Sequence, residues 1–357
     1  MAHLSSHPEA FSMVHMSNNQ KTVTIRGLAK EAGVSVATVS RTLRKPETVA
    51  ASTRARILKL IERHHFVPDG RAATFSSKRT GIVGLIVPTI SNSIYAAFTE
   101  AIQSTLQNAG LSLLIANANY SAGIERDIIR KFIESRVEGV ILTGYERDSA
   151  LYKLLRHYEI PFVVTWSTSP RRSVPAISFS NTDAAAEAVE KLIQLGHRRI
   201  GLICGMTQIN DRAAQRLGAY RAVLERHGIV FDPTLVAEIP FEIEIAVETA
   251  TRLILNSNSP TALFCANDIQ AMGALFACQR HNIRVPDDIS IVGFDDLPST
   301  RVVNPPLSSV HVPAKQMGEE AAKAIIAATR QNTPVRSQIL PTELIMRGSV
   351  KPRSSGG

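Results

Sequence analysis

From Gly81 onward the chain alternates unbroken runs of Val, Ile and Leu with amphipathic stretches, and this alternation constrains the fold more than any other feature. GIVGLIVP, LSLLIAN, GVILTG, PFVVTW and AISFS form one set of runs. RRIGLICG, LVAEIP, TALFCAN and ISIVGFDD form a second. A strand with one wet face alternates apolar and polar residues. A run that is apolar throughout suits a strand covered on both faces, as in parallel sheets flanked by helices. The segments between the runs, near 95–109, 126–135, 149–158, 181–195, 212–226, 247–255 and 268–279, read as helices. Two such sets in tandem predict two doubly wound parallel-sheet subdomains.

The N-terminal stretch 24–65, TIRGLAKEAGVSVATVSRTLRKPETVAASTRARILKLIERHH, follows a different rule. Thr24 suits the cap of a first helix, and Gly33 suits its end, since a residue without Cβ turns the chain most cheaply. Ser35 suits the cap of a second helix, Pro46 closes it, and Ser52 is expected to cap a third. Two short helices joined by a tight turn predict a helix-turn-helix whose second helix enters the DNA major groove. Val39 and Leu43 of that helix face inward. Its other face offers Ser35, Val36, Ala37, Thr38, Ser40 and Arg41. Short side chains let the backbone approach base edges. Arg41 suits a guanine edge or a phosphate, and the Thr38 and Ser40 hydroxyls suit phosphate oxygens. The competing reading is a small three-helix subdomain with a solvated face.

Charge supports the first reading. Residues 21–79 hold 13 Lys+Arg against 4 Asp+Glu, a net of +9, whereas residues 80–357 hold 27 against 26. The basic excess thus sits on the small N-terminal unit, the footprint of a nucleic-acid-binding module on a neutral body. A membrane-surface patch is the weaker alternative, because this unit lacks a large amphipathic apolar face. Cys204, Cys265 and Cys278 have no metal-ligand spacing and read as buried, reduced thiols. No signal peptide is recognisable and no run approaches a bilayer span, so a cytoplasmic protein is expected. Residues 1–20 read as a disordered extension, with Met13 or Met16 as alternative starts.

The stretch GLAKEAGVSVATVSRTLRKPETVAASTRARILKLIERHHFVPDGRAA resembles the DNA-binding headpiece of the lactose/galactose repressor (LacI/GalR) family. AGVSVATVSR carries the likeness over ten consecutive positions. The resemblance implies base reading by Val36, Ala37 and Arg41, and phosphate anchoring by Thr24, Ser35, Thr38 and Ser40. It also implies a hinge helix after Phe66 that folds on the operator and wedges an apolar side chain into the minor groove. The family's usual wedge is Leu, and the matching residue here is Phe75. Asp69-Gly70 departs from the common Asn-Arg pair, so the hinge helix should be weakened. For the rest of the chain the resemblance implies a periplasmic-binding-protein-like body that crosses between subdomains near Phe179, Val310 and Leu340.

Motifs for catalysis are missing from the sequence: it has no P-loop, GxSxG, HExxH or GxGxxG pattern. The resemblance places an effector between the subdomains. It makes Arg216 the residue that binds effector oxygens and Asp295 the acceptor of sugar hydroxyls. It makes Ser91, Asn92, Ile94 and Tyr95 the contact loop of the first subdomain. Asn267, ahead of Asp268, reads as a helix cap, with two open alternatives: capping alone, or capping and reaching ligand as well. Trp166 and Phe241 end strand-like runs, where related proteins stack aromatics on sugars or purines. For Arg216 the bland reading is a surface ion pair, and for the two aromatics it is plain core. Arg, Asp and aromatic groups together suit a polyhydroxylated ligand. Arg171 and Arg172 would favour a sugar acid, against the simpler reading of a solvated loop.

The expected architecture is therefore a small all-α helix-turn-helix headpiece joined to an α/β body. The boundaries are 1–20 extension, 21–68 headpiece, 69–79 hinge, and 80–350 effector-binding and dimerisation domain. Within the body, subdomain one takes 80–178 and 311–337, and subdomain two takes 179–310 and 338–350. The expected function is sequence-specific transcriptional regulation, as a repressor controlled by a small sugar or sugar acid. Expected partners are a pseudo-palindromic double-stranded DNA operator and a second copy of the chain, as a homodimer or a tetramer. No catalytic residue, metal or cofactor is expected, and no membrane. The alternative is a sugar-binding or sugar-modifying α/β protein without operator-specific regulation.

Overall fold

The computed structural model describes residues 23–67, 79–169 and 173–353. The expectations for 1–20, Asp69, Gly70, Phe75, Arg171 and Arg172 lie outside the described residues. The chain forms two compact units, Met1–Lys78 and Arg79–Gly357.

The first unit holds three helices, α1 (Ile25–Glu31), α2 (Val36–Arg44) and α3 (Ala51–Arg63). Thr24 Oγ1 accepts the Gly27 N–H at 3.2 Å, and Ser35 Oγ accepts the Thr38 N–H at 3.1 Å. Each satisfies one of the donors that a helix start leaves unpaired. Gly33 makes the turn at φ +62°, a conformation that costs glycine nothing. The expected cap at Ser52 is corrected. A short 3₁₀ turn, Pro46–Thr48, brings the chain into helical register early. Ala50 therefore holds the cap position without a side-chain bond, and Ser52 lies inside the first turn of α3. Leu28, Ala29, Ala32, Val39 and Ile57 are all buried and make the core.

In the second unit, β1 (Ile82–Val87), α4 (Ile94–Asn108), β2 (Ser112–Asn117), α5 (Ala122–Glu134), β3 (Gly139–Thr143), α6 (Ser149–His157) and β4 (Phe162–Thr165) follow in order. The strands form a parallel sheet ordered β2-β1-β3-β4. β1 and β3 are almost entirely buried, as their unbroken apolar runs require. β2 differs from that expectation. It is an edge strand, and Leu114 and Ile115 are 39% and 43% exposed, because an edge has a neighbour on one side only. α5 starts earlier than its spacing suggested, because Ser121 caps it and accepts the Ile124 N–H.

The chain leaves this sheet through β5 (Ile177–Ser178). The second set then runs α7 (Asn181–Gln194), β6 (Ile200–Cys204), α8 (Asp211–Arg226), β7 (Val236–Glu238), α9 (Ile243–Ile254), β8 (Ala262–Cys265), α10 (Asp268–Arg280), β9 (Ser290–Asp295) and β10 (Ser308–His311). α11 (Ala314–Gln331), β11 (Gln338–Ile339) and β12 (Glu343–Ile345) complete it. The second sheet is ordered β12-β10-β9-β8-β6-β7, parallel except for β12. α11 packs back on α4 and on β3 and β4 of the first sheet. β11 pairs with β5, so two crossing segments lie side by side. The carboxyl ends of β1, β3 and β4 and those of β6, β8 and β9 meet at one cleft, where α/β sheets of this kind bind ligands. The fold is a small helix-turn-helix unit plus an α/β body of two largely parallel sheets flanked by helices.

Candidate functional site

The outward face of α2 is open to solvent. Val39 is fully buried and anchors the helix, while Ser35, Val36, Ala37 and Arg41 are exposed. Thr38 and Ser40 are half-buried at its flanks. Ser35 Oγ and Thr38 Oγ1 lie 2.9 Å apart and share one hydrogen bond. Arg41 Nε reaches back to the Ala37 carbonyl at 3.4 Å, which leaves its terminal nitrogens for other acceptors. The first turn of α2 has no acidic residue, so its positive dipole end is not neutralised and favours an anion. Thr24 is exposed at the start of α1; its oxygen accepts from Gly27, and its hydroxyl proton stays free to donate. The structure thus brings these donors together on one exposed face.

The cleft of the body gathers most of the remaining candidates. Arg216, on α8, is 7% exposed. Its Nε donates to Asn181 Oδ1 at 2.9 Å, its Nη1 donates to the Ala266 carbonyl, and its guanidinium stacks 3.6 Å from the Phe294 ring centre. Burial lowers its pKa. This excludes the bland reading of a surface ion pair. Asp295 ends β9 at φ +114°, a strained setting for a residue with a Cβ. It is buried and accepts from Asn267 Nδ2 at 2.5 Å. Burial pushes its carboxyl up to about 7, although Arg216 and Asn267 oppose the shift. Asn267 also caps α10 through the Ile269 N–H at 2.8 Å, so its amide joins the helix start to Asp295. The neighbouring Asp296 belongs to a separate cluster with Arg301, His311 and Arg347.

The other candidates divide. Tyr95 is buried near Arg212, Arg216 and Asp295. Phe241 lies over Gly205, and its ring is 6.2 Å from that of Tyr120 on the facing side. Asn92 is buried, but its Oδ1 accepts the Ile94 N–H. Ser91 is exposed and bonded to Thr89, outside the cluster. Trp166 is 2% exposed and sits edge-on against Tyr95 and Phe98 at 4.9 and 5.4 Å. No open aromatic face is offered there. Its Nε1 is nonetheless buried without a hydrogen-bond partner, as is Gln215 Oε1.

Sequence reasoning missed Tyr120, Asp211, Arg212 and Gln215. A cavity of about 240 Å³ at the cleft mouth is lined by Tyr120, Gln208, Ile209, Asp211 and Arg212, among others. Arg212 and Asp211 are buried and bonded at 2.6 Å. The signal was present in NDRAAQR: residues 211, 212, 215 and 216 share one helix face. Among the described residues no group of three or more His, Cys, Asp or Glu could hold a metal ion, and no helix is long and apolar enough to cross a membrane.

The chain is similar to known proteins over nearly its whole length. Residues 24–69 match the model for bacterial regulatory proteins of the lacI family, and residues 189–350 match that for a periplasmic binding protein-like domain. The HTH-type transcriptional repressor CytR of Escherichia coli (strain K12) is 32% identical over 93% of this chain and 97% of its own length. The HTH-type transcriptional regulator DegA of Bacillus subtilis (strain 168) is 30% identical over 92% of this chain and 98% of its own. The solved complex of the transcriptional regulator CelR with cellobiose is 28% identical, covers 91% of this chain and 99% of that one, and superposes with a TM-score of 0.68. These relatives are transcription regulators and not enzymes.

Proposed function

This chain belongs to the LacI family of bacterial regulatory proteins and is a DNA-binding transcriptional regulator controlled by an effector, and we propose that it is a repressor that answers to a sugar or sugar acid. One observation carries the effector reading. Arg216 is a buried guanidinium and Asp295 a buried carboxyl, and their hydrogen bonds go to neutral groups. Side chains held this way can re-form bonds with the hydroxyls or carboxylate of a polar ligand without first breaking a strong ion pair. The cellobiose bound by CelR, a polyhydroxylated ligand, supports the class.

In this reading Val36, Ala37 and Arg41 read bases, while Thr24, Ser35, Thr38 and Ser40 hold phosphates. Phe75 wedges the minor groove. Arg216, Asp295, Asn267 and Tyr95 hold the effector, with Asn92, Ser91, Phe241 and Trp166 around them. The protein works in the cytoplasm as a homodimer on a two-fold operator and turns over no substrate. Effector binds one orientation of the two sheets better than the other. That difference in affinity shifts the population able to bind DNA. A thermal-shift screen against neutral sugars, sugar acids, sugar phosphates and purines tests the class. Stabilisation by a sugar or sugar acid, coupled to a change in operator affinity, is the expected result. Stabilisation by purines alone would overturn it.

A further inference from the structure

Asp211 opens α8, yet the helix does not use it as its cap. Asn210 fills that role, its Oδ1 accepting the Arg212 and Ala213 N–H groups. One oxygen of the Asp211 carboxylate points to the loop after β3, which belongs to the other sheet. Its Oδ2 accepts the Tyr145 N–H at 2.7 Å and the Glu146 N–H at 3.4 Å. Its Oδ1 stays with its own helix, accepting from Arg212 Nη1 at 2.6 Å and from the Arg212 N–H at 3.0 Å. Burial pushes this carboxyl up, but Arg212, the two amides and Ser167 hold it below its ordinary range. Gly144 permits the approach. It stands at φ +76°, and a Cβ there would run into Arg212 and lie 2.8 Å from Asp211 Oδ1. One turn further along α8, Gln215 Nε2 donates to Ser167 Oγ at 3.0 Å.

Two polar atoms of the inner cleft oppose this closure. Trp166 Nε1 and Gln215 Oε1 are buried there without partners, and an unpaired buried polar group opposes the closed state. The Asp211 contacts at the mouth and the Gln215–Ser167 bond one turn further in favour it. We propose that Asp211 is a latch: its carboxylate, seated on the backbone amides of Tyr145 and Glu146, holds the cleft shut before effector binds. Effector entry then requires this contact to break, a consequence that rests on the effector reading of the cleft; the closure itself does not.

The test is a distance measurement across the cleft by paired spin labels on the full chain. Lys153→Cys on α6 and Glu244→Cys on α9 place the labels at exposed positions, and Cys204, Cys265 and Cys278 are buried. Doubly labelled chain is diluted into unlabelled chain so that only distances within one chain are read. Without effector, the parent should give one narrow, short distance. Asp211→Ala should lengthen it by more than about 2 Å, the scale of a domain rearrangement, and broaden it. Asp211→Asn keeps the shape and so protects folding; it should give an intermediate shift. An unchanged distance in folded Asp211→Asn, or a parent distribution already broad, overturns the latch. Association of gluconate, followed by Trp166 fluorescence, is a separate readout. A cleft that opens with no change in gluconate association, while other sugars also fail to bind, upholds the latch and removes the effector site from this cleft.

Discussion

Arg216 shows how a side chain can be committed and available at once. Its partners are an amide oxygen, a backbone carbonyl and an aromatic face, all neutral. Arg216→Ala should weaken effector binding about tenfold or more, since stranding a ligand's polar group costs about 1–3 kcal/mol. Operator affinity without effector should stay near the parent value; titration calorimetry and a DNA-binding assay check the two halves. If both variants, Arg216→Ala and Asp295→Ala, keep a normal effector response, the site assignment is wrong. Asp295 also predicts a pH dependence. Its carboxyl sits at about 7 in the folded chain, against about 3.9 when unfolded. A raised acid contributes stability below the unfolded value and loses it as pH rises through the folded one. Stability to urea should therefore fall between about pH 4 and pH 7. Asp295→Asn should flatten that fall, and an equally steep profile in the variant would assign the effect elsewhere. Asp268, buried beside Asp295 and also raised by burial, should retain part of it.

Among the elements, α2 and α3 make separable predictions. Arg41 is exposed on the reading face, so Arg41→Ala should cost about 1–3 kcal/mol at the operator. A loss confined to the specific site assigns Arg41 to a base, whereas an equal loss on random DNA assigns it to phosphate. Ile57 of α3 is 1% exposed in a core of only a few side chains. Ile57→Ala should cost about 2–5 kcal/mol, comparable to all that so small a core supplies. DNA binding should disappear in Ile57→Ala while effector binding persists. A variant that still shifts operator DNA at parental concentrations would show that the headpiece draws its stability from elsewhere.

For the molecule as a whole, the division of charge predicts a division of labour. A fragment of residues 80–357, near charge balance, should bind effector and ignore DNA. Tight, salt-sensitive DNA binding by that fragment would place part of the DNA surface on the body. The fold class was legible because it follows from periodicity: unbroken apolar runs demand covered strands, and capped short helices around Gly33 demand a compact three-helix unit. The edge strand β2 was not legible, since a sequence does not say which strand lacks a neighbour. The cap of α3 was missed because a preceding 3₁₀ turn, not a side chain, set its start. The sequence by itself also determined which face of α2 is polar, because 3.6-residue spacing is local. Only the tertiary structure decided that Asp211 meets Tyr145 and Glu146, 66 and 65 residues away. Their meeting depends on where two sheets bring their loops, and on Gly144 leaving room. Nothing in the spacing of NDRAAQR encodes that.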